Sequence, residues 1–243
     1  MKKVKIIEKK LKEYKLIIIV ITIAMAVFSW IYFSPSEFFV SEIHAEWKEH
    51  NYRIDGIGKH WELGKLIAKD PSGRCLYAIK GDEFKEYLVV AVEAQDLFIE
   101  YGYDIPEEGE LTGIIAEYRT DPDNWISYPS DNRFFKKSAL EEIVDQSLSA
   151  SQFDKFESDK YIGDDEFYRI YLCYNGCPVS NKCIGYVGEL EEQIYFLRGG
   201  DAIVGPSGTE DYKAYIKNDT EYFILDSKKA KKELKKIKTS FRH

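Results

Sequence analysis

The chain of 243 residues is poor in several residue types that mark particular classes of protein. It contains 7 Pro, 4 Cys, 4 His and 2 Met. So few prolines argue against a fibrous protein, and two methionines argue against the Met-rich groove of a promiscuous binding protein. The composition is 44% hydrophobic and 15% aromatic, which excludes a wholly disordered chain. We therefore expect one or two packed domains.

Recognisable catalytic motifs are also lacking. The sequence has no G-x-S-x-G elbow, no S-x-x-K pair, no phosphate-binding glycine loop, no dinucleotide fingerprint and no H-E-x-x-H. The C-x3-C-x5-C spacing over 173–183 is not a standard zinc spacing, and the acidic runs at 121–123 and 164–166 lack the spacing of a calcium loop. The sequence therefore predicts no catalytic residue, no cofactor and no metal site.

Charge is distributed unevenly along the chain. Residues 1–15 carry +5, residues 16–33 carry no charge, residues 34–226 carry −20 and residues 227–243 carry +7. The formal net charge of −8 thus conceals a strongly acidic body between two basic ends. An acidic body repels phosphate, so nucleic acid is not an expected partner.

The uncharged segment 16–33, LIIIVITIAMAVFSWIYF, is the only long apolar run. As a helix it would extend about 27 Å, close to the thickness of a bilayer's hydrocarbon core. Trp30 and Tyr32 lie near its end, and lysines precede it, so we expect 1–15 to be cytoplasmic and the rest extracytoplasmic. The segment is interpreted as a single-pass signal anchor in the plasma (cell) membrane. The alternatives are a signal peptide cleaved near residues 24–26 and a buried helix.

The region after the anchor is predicted in two parts. In residues 34–50 the spacing of Phe39, Ile43 and Trp47 favours a helical stalk. Residues 51–120 instead show short apolar runs separated by turn signals, which predict a small β-barrel-like domain of the oligonucleotide-binding (OB) or SH3-like kind.

The second half of the chain is predicted to continue as a mainly β protein with flanking helices. Residues 121–226 carry one helical segment, with Ser138 and Glu141 at the spacing of a capping box, and then a second β region. The sequence leaves open whether the two β regions form one domain or two. Residues 227–243 are predicted to form a basic amphipathic helix.

The lysines of the C-terminal helix are candidates for contact with an anionic lipid or an anionic envelope polymer. The alternative is that this helix packs its apolar seam on the acidic body, or frays in solvent. The candidate residues are Lys228, Lys229, Lys231, Lys232, Lys235, Lys236 and Lys238.

The cysteines and histidines offer the remaining candidate chemistry. An even number of cysteines in an external domain allows two disulfides, and the candidates are Cys75, Cys173, Cys177 and Cys183. A bridge from Cys173 to Cys183 across a hairpin would leave Cys75 to pair with Cys177, while reduced cysteines or a single bridge are the alternatives. His44 and His50 are expected on the solvated stalk, and His60 on the barrel surface.

These features together favour a membrane-anchored extracytoplasmic binding or scaffolding protein of the cell envelope. Its expected partners are the lipid bilayer, through 16–33, and an envelope protein. The alternative is a thiol-dependent enzyme that uses Cys173, Cys177 or Cys183 with His60. Its layout resembles that of the sortase transpeptidases, but their Thr-Leu-x-Thr-Cys strand is replaced here by Arg-Ile-Tyr-Leu-Cys at 169–173.

Overall fold

The protein is mainly β, as the sequence predicts, with two seven-stranded antiparallel sheets, one of them a half-barrel, and additional helices. This architecture comes from a computed structural model. The described residues are 14–15, 17–25, 38–41, 44–55, 59–70, 72–91, 95–118, 132–162, 166–204 and 214–242.

The first sheet has the strand order β1-β2-β3-β7-β6-β5-β4. Its strands are β1 (Phe38–Val40), β2 (His44–Trp47), β3 (His50–Asp55), β4 (Leu63–Lys69), β5 (Cys75–Ile79), β6 (Tyr87–Ala91) and β7 (Gln95–Glu100). Alternation along the strands buries one face, which includes Tyr52, Leu88 and Phe98. Arg74 Nη1 donates to Val40 O at 3.0 Å, which ties the β4–β5 turn to the opposite edge, so the sheet curls around its own core.

The second sheet has the strand order β10-β17-β14-β13-β12-β8-β9. Its strands are β8 (Leu111–Tyr118), β9 (Asn132–Lys136), β10 (Asp154–Lys155), β12 (Phe167–Tyr174), β13 (Cys183–Leu190), β14 (Gln193–Arg198) and β17 (Glu221–Ile224). Three short strands form a small third sheet: β11 (Lys160–Tyr161), β15 (Ile203–Val204) and β16 (Tyr215–Ile216). Ile203 and Ile216 of this small sheet share a buried cluster with Tyr186 of the second sheet.

Two helices cover the opposite face of the second sheet. A 3₁₀ turn (Lys137–Ala139) leads into α1 (Glu141–Ser149), and α2 (Lys228–Ser240) lies near the end of the chain. Ile143 of α1 and Leu234 and Ile237 of α2 are buried together with Ile170 of the sheet. The predicted C-terminal helix is therefore confirmed, and it packs its apolar seam on the body.

The predicted helical stalk at 34–50 is wrong wherever the structure describes it. Residues 38–40 and 44–47 are strands β1 and β2, and their hairpin with β3 pairs Trp47 with His50. Phe38, Val40, Ala45 and Trp47 are buried. Buried and exposed residues alternate here as in a strand, rather than following a helical stripe. The strand forms because β2 pairs with β1 on one side and with β3 on the other.

Two further expectations need correction. Strand β8, which the sequence groups with the first β region, pairs with β9 and β12 in the second sheet. Ser138 is not the N-cap of α1, because it lies in the 3₁₀ turn and Leu140 occupies that position without a side-chain bond. Glu233 of α2 instead binds the free backbone N–H groups in the first turn of α1. Its Oε1 accepts from Glu142 N at 3.2 Å, and its Oε2 accepts from Ile143 N at 3.0 Å.

The predicted membrane span at 16–33 is described only in part. Residues 14–15 and 17–25 are helical, and every side chain in them is exposed. The remaining residues of the span, and 1–13 before it, lie outside the described residues. Among the residues that the structure describes, none of the helices has the length and apolarity to cross a membrane.

The two large sheets meet through the segment that precedes β4. His60 and Ser180 form an isolated β-bridge, with N–O distances of 2.8 Å and 3.0 Å. Beside it, Trp61 packs in an apolar cluster that joins Tyr87 of the half-barrel to Val179 of the β12–β13 connection. Glu62 Oε2 accepts from Phe134 N of β9 at 2.6 Å. Apolar contacts and hydrogen bonds therefore hold the half-barrel against the second sheet.

Candidate functional site

A row of four polar side chains crosses four neighbouring strands of the second sheet. The strand register aligns Asn132 of β9 with Glu117 of β8, Glu117 with Arg169 of β12, and Arg169 with Tyr186 of β13. Directly opposed residues in antiparallel strands point to the same face, so the four side chains lie side by side. Glu117 is only 4% exposed and Asn132 only 3%.

Hydrogen bonds join Glu117, Arg169 and Tyr186 of this row into a network with Tyr171. The Arg169 guanidinium contacts Glu117 Oε2 at 3.3 Å through Nη1, and its Nε donates to the Tyr186 hydroxyl at 2.9 Å. Tyr186 donates onward to Gly200 O at 2.8 Å. Tyr171, on the same face of β12, donates to Glu117 Oε2 at 3.0 Å. The buried carboxylate and the half-buried guanidinium therefore neutralise each other and share the Tyr171 hydroxyl.

His60 approaches this network from the half-barrel side of the junction. Its ring stacks on Tyr171, with the ring centroids 3.8 Å apart and the planes inclined by 22°. His60 Nδ1 lies 3.4 Å from Glu117 Oε1, within range of a charge contact but without a hydrogen-bond partner among the described residues. The side chain is only 13% exposed, so the expectation of a surface histidine is wrong.

The electrostatics of the network favour the ionised carboxylate. Burial alone would raise the pKa of Glu117, but the contacts with His60, Arg169 and Tyr171 lower it to about 2. Burial and the Glu117 charge raise the pKa of the Tyr171 hydroxyl, so this hydroxyl stays a proton donor. A carboxylate with so low a pKa is a poor general base near neutral pH. The network is thus arranged to hold fixed charges in position rather than to move protons.

Cys173, Cys177 and Cys183 are not in surroundings that favour a reactive thiolate. Burial raises the pKa of Cys173 and Cys177, and it raises that of Cys183 to about 11. A nucleophilic cysteine needs a lowered pKa, and these thiols are shifted in the opposite direction. The structure has all four cysteines as free thiols, and the two bridges drawn from the sequence stay predictions. Cys173 and Cys183 share a small buried cluster with Tyr171.

His44 and His50 lie in strands of the half-barrel rather than on a helical stalk. His44 contacts Glu46 at 3.0 Å, and His50 contacts Glu100 at 2.6 Å. Within the described ranges no group of three or more His, Cys, Asp or Glu side chains is arranged to hold a metal ion.

The structure divides the seven candidate lysines of the C-terminal helix into two sets. Lys229 pairs with Glu141 at 2.9 Å, Lys236 donates to Ala139 O at 2.9 Å, and Lys238 pairs with Glu189 at 3.0 Å. The other four have exposed side chains that make no ion pair or hydrogen bond with a described residue: Lys228, Lys231, Lys232 and Lys235.

The Glu117–Arg169 network was not predicted from the sequence. A local signal for it exists, because Glu117 and Arg169 each interrupt an apolar strand at a position that alternation assigns to a buried face. The partner of each charge is 52 residues away, and a single sequence gives no information on that pairing. No family model, no curated protein and no solved structure matches this chain.

Proposed function

We propose that this chain is a single-pass, membrane-anchored extracytoplasmic module that binds or scaffolds other components of the cell envelope. The proposal is based mainly on the contrast between the N-terminal helix and the body of the molecule. Residues 17–25 form a helix of exposed apolar side chains, whereas the body that follows buries its apolar residues in closed clusters. A helix with no polar face favours lipid over water.

The orientation rests on charge. Seven lysines precede the apolar segment and only two glutamates accompany them, while 34–226 is strongly acidic. Lysine-rich flanks remain on the cytoplasmic side during insertion, so the body would lie outside the cytoplasm. For the fold of the half-barrel we propose kinship in architecture with OB or SH3-like barrels, limited to strands β3–β7.

A binding or scaffolding role is favoured over catalysis by the chemistry of the buried network. Glu117 is held as a carboxylate with a pKa of about 2, and the thiol of Cys183 has a pKa raised to about 11 by burial. Neither group suits proton transfer or nucleophilic attack near neutral pH. The network instead links the two sheets, which gives a module of fixed shape on which a partner could dock.

The thiol-dependent enzyme is the second candidate, and one observation favours it. Tyr171 stacks on His60 and lies opposite Cys183 in the strand register, so an imidazole and a thiol border the same ring. Free-thiol titration of the native protein separates the two candidates. One thiol that alkylates rapidly at pH 7 would favour the enzyme, and uniformly slow alkylation would favour the binding module.

The membrane topology can be tested with the full chain carrying a C-terminal tag in a bacterial host. We expect protease to remove the tag from intact spheroplasts while a cytoplasmic marker survives. A matched variant in which the flanking lysines are changed to Gln should leave part of the tag protected, because the orienting charge is lost. The changed residues are Lys9, Lys10, Lys12 and Lys15.

A tag that resists protease in spheroplasts carrying the native sequence would contradict the proposed orientation. Where the tag is accessible, crosslinking in the same cells should recover a reproducible envelope protein as neighbour. Accessibility without any neighbour would argue against scaffolding and favour a soluble ligand or an enzyme.

A further inference from the structure

Four exposed lysines of α2, whose side chains make no ion pair or hydrogen bond with a described residue, form one straight stripe. Their spacing is i, i+3, i+4 and i+7, and at 100° per residue this confines all four to one side of the helix. The buried residues Ala230, Leu234 and Ile237 lie on the opposite side. Packing of the seam therefore directs the stripe away from the body. We call this set the lysine stripe, and it consists of Lys228, Lys231, Lys232 and Lys235.

The remaining lysines of the helix differ from the lysine stripe because their side chains contact the body. Lys229 and Lys238 pair with glutamates of the body, and Lys236 donates to a backbone carbonyl. These three contacts fix the rotation of the helix about its own axis. The lysine stripe is thus a fixed set of four positive charges, and the contacts that orient it use other lysines.

The charge of the stripe contrasts with that of the body. Residues 34–226 carry −20, so most of the surface repels an anionic partner. At physiological ionic strength, charges more than about 8 Å apart are largely screened, and the local +4 decides what approaches this helix. The stripe therefore fits an extended anionic surface with many negative groups.

We propose that the lysine stripe docks on the anionic headgroups of the lipid bilayer that holds the apolar N-terminal segment. The inference rests on the proposed membrane anchor, since a chain already attached to the bilayer presents the stripe to it at high effective concentration. Each lysine near an anionic surface raises the bound population about fivefold, so four together form a stable second contact.

Lysine acetylation of the full chain in lipid nanodiscs tests this docking. One set of discs contains only phosphatidylcholine, and the other contains phosphatidylcholine with about a third phosphatidylglycerol. The rate of modification at each lysine is followed by mass spectrometry. Exposed lysines in strands of the body serve as controls within the same molecule: Lys65, Lys69, Lys155 and Lys160.

We expect modification of the lysine stripe to be at least about fivefold slower in the anionic discs than in the neutral discs. The control lysines should react equally in both, and 0.5 M salt should abolish the difference, because screening weakens contacts with headgroups. Changing the four stripe lysines to Gln should release the helix end from the anionic discs, seen as faster acetylation of Lys236. Changing the four control lysines to Gln should leave that rate unaltered.

Equal modification of the stripe in both kinds of disc would overturn the docking while leaving the membrane anchor intact. Protection that depends on the number of chains per disc, rather than on the lipid, would overturn it in favour of contact with the acidic body of a second copy. Failure of the chain to enter either kind of disc would overturn the proposed anchor and the docking together.

Discussion

Replacing Glu117 by Gln tests whether the buried network at the junction of the sheets stabilises the fold through charge. Gln keeps the shape and one carbonyl oxygen, so Tyr171 retains an acceptor. The substitution removes the negative charge beside Arg169, whose guanidinium side chain is only 19% exposed. A buried cation without its counterion is costly, and removing one partner of a buried pair destabilises by about 3 to 5 kcal/mol.

The pH dependence gives an independent estimate of the same magnitude. The pKa of Glu117 is about 2 in the folded protein, below its ordinary value of 4.5. A lowered folded pKa contributes stability that is fully present above the unfolded value and is lost as the pH falls toward 2. This difference in pKa corresponds to about 3 kcal/mol at pH 7, of which about 1 kcal/mol remains at pH 3.

The assay is urea unfolding of the full chain in a non-ionic detergent at pH 7, 4 and 3, followed by tryptophan fluorescence. We expect Glu117→Gln to lower the free energy of unfolding by about 3 kcal/mol at pH 7 and by about 1 kcal/mol at pH 3. Other acidic groups titrate equally in both proteins and cancel. The matched control is Glu221→Gln, which removes the carboxylate of a surface pair with Arg198 at 3.0 Å and should cost at most about 1 kcal/mol.

Two results would refute this reasoning. A loss of stability that is the same at pH 7 and pH 3 would mean that Glu117 acts through packing rather than through its charge. A loss no greater than that of Glu221→Gln would mean that the network contributes no more than an exposed ion pair.

Three further experiments test other parts of the structure. Glu233→Ala should lower the free energy of unfolding by about 2 to 4 kcal/mol, because it leaves two backbone N–H groups of α1 unpaired. Glu233→Gln should lower it by only about 1 kcal/mol. Equal effects of the two variants in a urea titration would contradict the capping by Glu233. Gly185→Ala should prevent stable folding, since φ is +151° and a Cβ would overlap Leu197 O, whereas Gly176→Ala, with open space around it, should cost about 1 to 2 kcal/mol in thermal unfolding. Alkylation of native protein at pH 8 should be slower than in urea at the three thiols whose pKa is raised by burial, and one fast thiol would contradict this. At Cys183 it should be at least about 100-fold slower, because at a pKa of about 11 roughly 0.1% of this thiol is ionised. The three thiols are Cys173, Cys177 and Cys183.

The C-terminal helix could be predicted from the sequence because its signals are local. Ser227 accepts from Ala230 N at 2.9 Å, as its position before the helix suggests, and the apolar residues recur with helical spacing. The same reasoning fails at 34–50, where Phe39 and Trp47 share a helical spacing by coincidence. Phe39 is 58% exposed and Trp47 is buried. These short strands carry little local information, and the pairing of β1 with β2 and of β2 with β3 decides their conformation.

Strand β8 shows a different limit of sequence reasoning. The strand itself is evident from its apolar residues, but its partners are not, because β12 begins about 50 residues later. Proximity along the chain suggested a first barrel that included β8, whereas the register aligns Ile115 with Tyr171 and Phe134. Non-local pairing of this kind depends on contacts that a single sequence does not specify.

The junction between the sheets combines two kinds of contact that do different things. The apolar cluster around Trp61 stabilises docking, yet apolar contacts tolerate many arrangements. The charged network is compatible with a single arrangement of the two sheets. A shift of the half-barrel by one residue would remove His60 from Tyr171 and from the Glu117 carboxylate. The Glu117–Arg169 pair itself lies within the second sheet, and His60 is the side chain of the half-barrel segment that reaches it. The apolar cluster and the His60 contacts together hold the half-barrel in one orientation on the second sheet, as the proposed binding module requires.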